Sequence, residues 1–356
     1  MTPVGAFREH DDSEAKGPYV PLFIAPDADV LVVDDNPMNL NVIKGLLKGT
    51  RVFVSTASSG EECLEKLKDT RFDIVLLDHM MPGMDGVETV GEIRKDYPDL
   101  PVYALTANSA SGEEFYKSKG FNGYLAKPVD SRILERTIMK HLPEEMMEKP
   151  EIADAVPELT EIPDNLTWIY DTEGISVPDG IRNSGGISNY IFSLELFLDT
   201  IDQNAKVIRD SYNEGNIRLY TIKVHSLKSS ARIVGALELS KLCEAVEEAG
   251  NKEDIAFIDQ NADKLLADYE VFKYRLERIH DKEDTSPKEA ISESELAKAY
   301  KALSDVIPQM DYDAVEMILE ELNEYAHGAE DDSRIKELKK MLRVFDWDGM
   351  EELIGQ

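Results

Sequence analysis

The stretch that decides the fold of this chain reads Asp73-Ile74-Val75-Leu76-Leu77-Asp78-His79-Met80-Met81-Pro82-Gly83-Met84-Asp85-Gly86. A short apolar run ends on one carboxylate, Asp78, and a loop rich in proline and glycine follows at once. The pattern predicts a buried strand with an acid at its carboxyl end, where open α/β sheets place their functional sites. A second apolar run, residues 29–34, ends in the same way on Asp34 and Asp35.

The composition limits the classes of protein to consider. The chain has 356 residues, 42% of them hydrophobic, and this length favours two or three domains. The 71 acidic residues outnumber the 39 basic residues, which gives a formal net charge of −32. Such a surface repels nucleic acid and anionic membranes, so we expect no direct nucleic-acid binding. With no apolar run of membrane-spanning length and only two cysteines, we expect a cytoplasmic protein with reduced thiols.

Apolar strands alternate with helical patterns between residues 27 and 143. Strands are predicted at 29–34, 51–55, 73–77, 101–105 and 122–126, and helices at 37–48, 59–68, 84–96, 109–119 and 130–141. This alternation predicts an α/β domain with a doubly wound, five-stranded parallel sheet. Residues 1–26 are polar and then punctuated by proline, and we interpret them as an N-terminal junction.

The pattern changes after residue 143. Residues 144–176 are acidic with little periodicity, which predicts a linker, although Leu166, Trp168 and Ile169 provide apolar side chains that could dock on a neighbour. The next range, 177–281, keeps helical spacing throughout and predicts an all-α four-helix bundle.

The last helix of this bundle is expected to cover about 252–280. A polar break at 282–290 separates the bundle from a C-terminal helical segment, 291–356. Three or four amphipathic helices are expected in that segment. It contains no chemical motif, and its role is left open.

Polar residues at the strand ends are expected to share one pocket. They are Asp34, Asp35, Asp78, Thr106 and Lys127. Clustered carboxylates repel each other unless a hard cation lies among them, and such an oxygen-rich site suits Mg²⁺. The set fits phosphoryl transfer to a carboxylate, in which Asp78 is the nucleophile. Mg²⁺ and Lys127 would neutralise the phosphoryl oxygens, and the Thr106 hydroxyl would donate a hydrogen bond.

Residues 27–143 resemble the receiver domain of two-component signalling proteins, which has a flavodoxin-like fold. The matching motifs, in order and spacing, are Asp-Asp-Asn at 34–36, Leu-Leu-Asp-His-Met-Met-Pro at 76–82, Leu-Thr-Ala at 105–107 and Lys-Pro at 127–128. The resemblance implies that Asp78 is phosphorylated and that Asp34, Asp35 and the main-chain carbonyl of Met80 help to bind Mg²⁺.

The same resemblance implies two further features of the domain. The Lys127–Pro128 bond is expected to be cis. Thr106 and Tyr124 match the family's switch pair, whose rearrangement reports phosphorylation.

One histidine in the helical part stands out, within His225-Ser226-Leu227-Lys228-Ser229-Ser230-Ala231-Arg232. Helical spacing places His225 beside the apolar stripe, so we expect it to face solvent. Lys228, Ser229, Arg232 and Arg218 would lie on its side of the helix as a largely basic surround. A neutral imidazole is a competent nucleophile near pH 7, and Lys228 can hydrogen-bond phosphoryl oxygens. The alternative is a surface histidine on a solvated helix.

This segment resembles the histidine phosphotransfer (HPt) domain. The resemblance rests on His-x-Leu-Lys at 225–228, followed by small residues and by Gly235. It implies that His225 exchanges a phosphoryl group with a receiver aspartate. A nucleotide-binding kinase core and a Walker-type loop are both missing from the sequence, so this polypeptide is not expected to take phosphate from ATP. Residues 18–26 look like the junction that precedes the receiver of a hybrid histidine kinase. The chain is thus either part of such a kinase or a stand-alone protein.

Together these features predict a phosphorelay intermediate that catalyses its own Mg²⁺-dependent phosphoryl transfer. A sensor histidine kinase would phosphorylate Asp78. His225 would then exchange the group with a receiver, either its own or that of a downstream response regulator. Two alternatives remain open. One is a phosphorylation-gated interaction module in which His225 is inert, and the other is a phosphate sink that drains a kinase by hydrolysis.

Overall fold

A five-stranded parallel sheet organises the first domain of the computed structural model, which describes residues 19–107, 112–150, 159–280 and 288–355. The strands are β1 (Asp29–Val33), β2 (Phe53–Ala57), β3 (Ile74–Asp78), β4 (Val102–Thr106) and β5 (Gly123–Ala126), in the order β2-β1-β3-β4-β5. Every residue of β3 is buried, as a continuous apolar run predicts for a central parallel strand. The predicted doubly wound fold is confirmed, and each strand begins within two residues of its predicted start.

Five helices cover the two faces of this sheet. They are α1 (Pro37–Leu47), α2 (Gly60–Asp69), α3 (Gly86–Asp96), α4 (Gly112–Ser118) and α5 (Ser131–Met139). Side chains of Asn36, Ser59, Asp85 and Asp130 accept hydrogen bonds from backbone N–H groups in the first turns of α1, α2, α3 and α5. These caps fix where those helices begin. The predicted start of α4, at residue 109, lies outside the described residues.

The described part of the N-terminal junction, residues 19–26, packs onto the sheet domain. Glu135 of α5 is fully buried and accepts hydrogen bonds from the Tyr19 hydroxyl at 2.6 Å and from the Leu22 amide at 2.8 Å. Phe23 and Ile24 are buried beside it. Residues 19–26 therefore belong structurally to the sheet domain, which we define as residues 19–150.

The second half of the predicted linker is also packed. Residues Asp164–Asp171 form a 3₁₀ helix that buries Leu166 and Ile169 in the core of the helical domain. The guanidinium of Arg278 lies over the Trp168 ring, 5.1 Å from its centroid. Residues 159–176 are therefore a docked segment, despite their weak periodicity.

The helical domain, residues 159–280, contains the expected four-helix bundle. Its helices are α6 (Val177–Ser184), α7 (Ile187–Asn213), α8 (Ile217–Ile233), α9 (Leu237–Asn251) and α10 (Ile255–Glu270), of which α7 to α10 form the bundle. The single helix predicted over 252–280 is wrong, because α10 ends at Glu270. The short helix α11 (Phe272–Arg275) and a 3₁₀ turn (Glu277–His280) follow, and this bend buries Phe272, Leu276 and Ile279.

Four more helices form a C-terminal unit, which we define as residues 291–355. They are α12 (Glu293–Val306), α13 (Tyr312–Asn323), α14 (Ala329–Arg343) and α15 (Trp347–Ile354). The unit has its own apolar core, in which Leu303, Val315, Leu338 and Met350 are fully buried. In the described ranges of the chain, no helix is both long and apolar enough to cross a membrane.

We predict that Ile169→Ala lowers the free energy of unfolding by about 2–5 kcal/mol, because the substitution leaves a cavity where a fully buried side chain stood. The adjacent Tyr170 is 56% exposed, and Tyr170→Ala should change stability by no more than about 0.5 kcal/mol. Urea denaturation, monitored by tryptophan fluorescence, measures the free energy of unfolding of both variants. Equal effects of the two substitutions would show that the segment is not docked.

Candidate functional site

Three carboxylates meet at the carboxyl ends of β1 and β3. One oxygen from each of Asp34, Asp35 and Asp78 lies within 4.8 Å of the others. Asp78 is the last residue of β3, and the other two follow β1, which is the hydrogen-bonded neighbour of β3. The cluster is thus a direct result of strand order. Its hard oxygen donors fit Mg²⁺, and the main-chain carbonyl of Met80 stays a predicted further ligand.

Lys127 supplies positive charge to this cluster from within the sheet domain. Its Nζ lies 2.6 Å from Asp34 Oδ2 and 2.6 Å from Asp78 Oδ1, and the Lys127–Pro128 peptide is cis, as predicted. Burial raises the pKa of Asp78 to about 7, while the ammonium of Lys127 acts in the opposite direction. Burial disfavours the ammonium itself, yet the two carboxylates raise the pKa of Lys127 above its ordinary value. A further cation beside the carboxylates would favour the ionised, nucleophilic form of Asp78.

The predicted switch residues lie next to the cluster. Thr106 ends β4 and is buried, and Tyr124 of β5 stacks on Tyr116 with ring centroids 5.3 Å apart. Tyr116 was not predicted as a site residue. It is fully buried, hydrogen-bonds the Thr106 side chain, and places its hydroxyl 3.3 Å from Nδ1 of His79. The switch pair therefore shares its space with a third residue, the aromatic Tyr116 of α4.

His225 of α8 is only 5% exposed, whereas the sequence predicts a solvent-facing ring. The prediction fails because the sheet domain lies over this face of α8. His225 lines a cleft of about 330 Å³ together with Asp78, Thr106, Lys228 and Glu247. The structure thus brings the two predicted phosphoryl-carrying residues to one cleft between domains.

Glu247 of α9 holds the imidazole of His225, and it was not predicted as a site residue. His225 Nδ1 lies 2.8 Å from Glu247 Oε1. Burial by itself would raise the pKa of Glu247, but His225 and Lys228 lower it below the ordinary carboxyl range. An ionised carboxylate only accepts hydrogen bonds, so Nδ1 carries the hydrogen, and in the neutral form of the ring the lone pair is on Nε2.

Lys228 is paired with the second carboxylate oxygen of Glu247 and is buried, so the predicted open cationic surround of His225 is wrong at this residue. Glu247 follows the buried Cys243 by four residues, which puts an acid on the core-facing side of α9. A charge at core spacing was the signal that could have identified it, since buried acids are rare unless paired.

A second unpredicted residue, Lys223, connects α8 to the acidic cluster. Its Nζ lies 2.8 Å from Asp35 Oδ2, and the Ser226 hydroxyl donates to Asp35 at 3.3 Å. One turn further on, Asn36 Nδ2 donates to Ser230 Oγ at 2.8 Å. Residues 223, 226 and 230 lie on one face of α8 because of their helical spacing. This face is therefore the polar contact surface for the sheet domain.

The contact between the two domains continues along α1, where the side chains are closely packed. A Cβ atom built on Gly185 would lie 2.3 Å from Leu46 Cδ2, and one built on Gly45 would lie 2.5 Å from Asn189 Oδ1. Gly185 also has a left-handed backbone with φ of 83°, which favours glycine, whereas a side chain at Gly45 would require the Asn189 side chain to move. The contact is therefore closely packed as well as charged.

Comparisons with known proteins agree with these two domains. Residues 30–139 match the model of the response regulator receiver domain, and residues 193–281 match that of the Hpt domain. The chain is 27% identical over 233 residues to the signal transduction histidine-protein kinase BarA of Escherichia coli and 28% identical over 233 residues to the sensor histidine kinase GacS of Pseudomonas protegens. Each match covers 63% of this chain and 24% of the kinase, so the chain spans about a quarter of the length of these relatives.

Among solved structures, the receiver domain of sensor histidine kinase PA1611 from Pseudomonas aeruginosa, with magnesium coordinated in its active-site cleft, is similar to this chain. The identity is 32% and the TM-score 0.30, covering 32% of this chain and 96% of that one.

The two family models show that this chain contains domains of two-component phosphorelay proteins. This chain carries a receiver domain followed by an HPt domain and is similar to the corresponding part of hybrid histidine kinases.

We predict that Glu247→Ala abolishes the tautomer preference of His225. The lost hydrogen bond to a charged group is worth about 1.5–3 kcal/mol, which corresponds to a tenfold to hundredfold change in the tautomer ratio. Ring ¹⁵N chemical shifts measure this ratio. Glu238→Ala, which removes an exposed acid from the same helix, should leave the shifts unchanged. A wild-type ring protonated on Nε2 would contradict the assignment.

Proposed function

We propose that this protein is a cytoplasmic phosphorelay intermediate in which Asp78 and His225 of one molecule exchange a phosphoryl group. The observation that carries the proposal is the shared cleft, which both side chains line from opposite domains. A sensor histidine kinase is the source of the group, and a receiver of a downstream response regulator is its further destination.

The first step is phosphorylation of Asp78. A carboxylate oxygen of Asp78 attacks the phosphorus of a donor phosphohistidine, the P–N bond breaks, and the donor imidazole leaves. Lys127, already 2.6 Å from Asp78, offsets charge on the phosphoryl oxygens, and Thr106 donates a hydrogen bond to them. Mg²⁺ held by Asp34, Asp35, Asp78 and the Met80 carbonyl would supply further charge neutralisation.

The second step moves the group to His225. Its Nε2 lone pair attacks the phosphorus, the P–O bond of the acyl phosphate breaks, and the Asp78 carboxylate is regenerated. No proton needs to move, because Nδ1 keeps its hydrogen. The positive charge that develops on the ring faces the Glu247 carboxylate, 2.8 Å away, and Lys228 can donate to a phosphoryl oxygen.

Treatment of the protein with radiolabelled acetyl phosphate and Mg²⁺ tests this route. We expect acid-labile, base-stable label at His225 in the wild type and only base-labile aspartyl label in His225→Gln. Asp78→Asn should carry neither kind of label, and a chelator that removes Mg²⁺ should prevent both kinds of labelling in the wild type. A wild type that carries aspartyl label alone would favour a phosphorylation-gated module over a relay. Fast release of phosphate without label at His225 would favour a phosphate sink.

Mixing two variants tests whether the exchange occurs within one molecule. In an equimolar mixture of Asp78→Asn and His225→Gln, label can reach His225 only between molecules. Within one chain the effective concentration of the two domains is on the order of millimolar, whereas each variant in the mixture is present at roughly 10 µM. We therefore expect labelling in the mixture to be about a hundredfold slower than in the wild type. Wild-type labelling should not depend on protein concentration. Equal rates in the mixture and the wild type would contradict exchange within one molecule.

A further inference from the structure

The C-terminal unit lies across the boundary between the receiver and HPt domains. It contacts α1 on the receiver side and α7 on the HPt side, and neither the family matches nor the site residues above include it. These contacts therefore give the C-terminal unit a position from which it can affect how the two domains are held together.

On the HPt side the central contact is Arg343, at the end of α14. Its Nη1 lies 2.9 Å from Asp199 Oδ2 and its Nη2 lies 2.5 Å from Glu195 Oε2. The guanidinium also lies over the Phe192 ring, 5.6 Å from the centroid. Burial would raise the pKa of Asp199, but His280 and Arg343 lower it below its ordinary value. A partly buried guanidinium shared by two carboxylates is a strong and directional contact.

The same residue also reaches the receiver domain. The main-chain carbonyl of Arg343 accepts a hydrogen bond from Asn41 Nδ2 of α1 at 2.9 Å. Close by, Lys44 Nζ lies 2.7 Å from Asp313 Oδ1 and 4.6 Å from the centroid of the Tyr312 ring. One residue beyond Arg343, Val344 packs against the apolar core shared by α1 and α7. The C-terminal unit thus contacts both domains at Arg343 and contacts α1 a second time through α13.

We propose that the C-terminal unit is an intramolecular clamp that keeps the receiver domain packed over His225. This proposal rests on the proposed function, since it assigns the clamp to the control of phosphoryl exchange. The face of α8 that carries His225 is covered by the chain's own receiver. A receiver from another molecule needs that face, so it can engage only after the two domains separate.

The clamp therefore favours exchange between Asp78 and His225 of one chain and slows exchange with a separate receiver. The contacts that hold it are ion pairs with Glu195, Asp199 and Asp313, and ion pairs at least partly open to water weaken with salt. Raised ionic strength should therefore shift the protein towards the open arrangement.

Arg343→Ala in the full-length chain is the test, with Arg334→Ala as the matched control. The Arg334 side chain lies over the Tyr300 ring within the same unit, so the control removes an arginine without touching the two-carboxylate contact. Spin labels at Lys95→Cys and Lys264→Cys report the distance between the domains. Both positions are exposed, whereas the native Cys63 and Cys243 are buried.

We expect one distance in the wild type and in Arg334→Ala, and an additional, longer distance in Arg343→Ala. In the mixing experiment, Arg343→Ala placed in both variants should speed labelling of His225 between molecules about tenfold. An unchanged distance distribution in Arg343→Ala would overturn the clamp, whatever the labelling shows. If no variant labels His225, the proposed function fails, and the distance measurement still decides whether the clamp exists.

Discussion

The concentration of negative charge at the ends of β1 and β3 is the constraint on which the rest of the structure depends. Three carboxylates lie within 4.8 Å of one another in a chain that is already strongly acidic. Lys127 balances part of this charge from inside the receiver domain, and Lys223 approaches Asp35 from the HPt domain. Nearby positive charge relieves the repulsion, so the chemistry of the cluster and the docking of the two domains share an electrostatic cause.

The same arrangement explains how His225 can be buried and still take part in the proposed exchange. Its ring is covered by another domain rather than by the core of its own bundle, and Asp78 lines the same cleft. Glu247 fixes the ring through Nδ1 and is itself balanced by Lys228. In the proposed exchange, a histidine that is already held by an ionised acid and faces a carboxylate would need little reorganisation.

Local sequence signals were sufficient for the receiver fold and its acids. Alternating strand and helix patterns placed every strand of the sheet, and strand order then brought Asp34, Asp35 and Asp78 together. The residues that sequence reasoning missed, Lys223 and Glu247, act through contacts with distant parts of the chain. Lys223 meets a residue 188 positions away, and Glu247 meets one 22 positions away. Lys223 has the appearance of an ordinary surface lysine until its partner is known, whereas the position of Glu247 four residues after Cys243 was a signal that the sequence contained.

The sequence by itself determined the two domains and the candidate residues Asp78 and His225, because motif spacing and periodicity are local properties of the chain. Only the tertiary structure decided that the two residues line one cleft, that His225 is covered, and that the C-terminal unit bridges the domains. These outcomes depend on how the surfaces of the three parts of the chain fit together. That fit is set by shape and charge complementarity between distant segments, such as Arg343 against Glu195 and Asp199, and no local pattern records it.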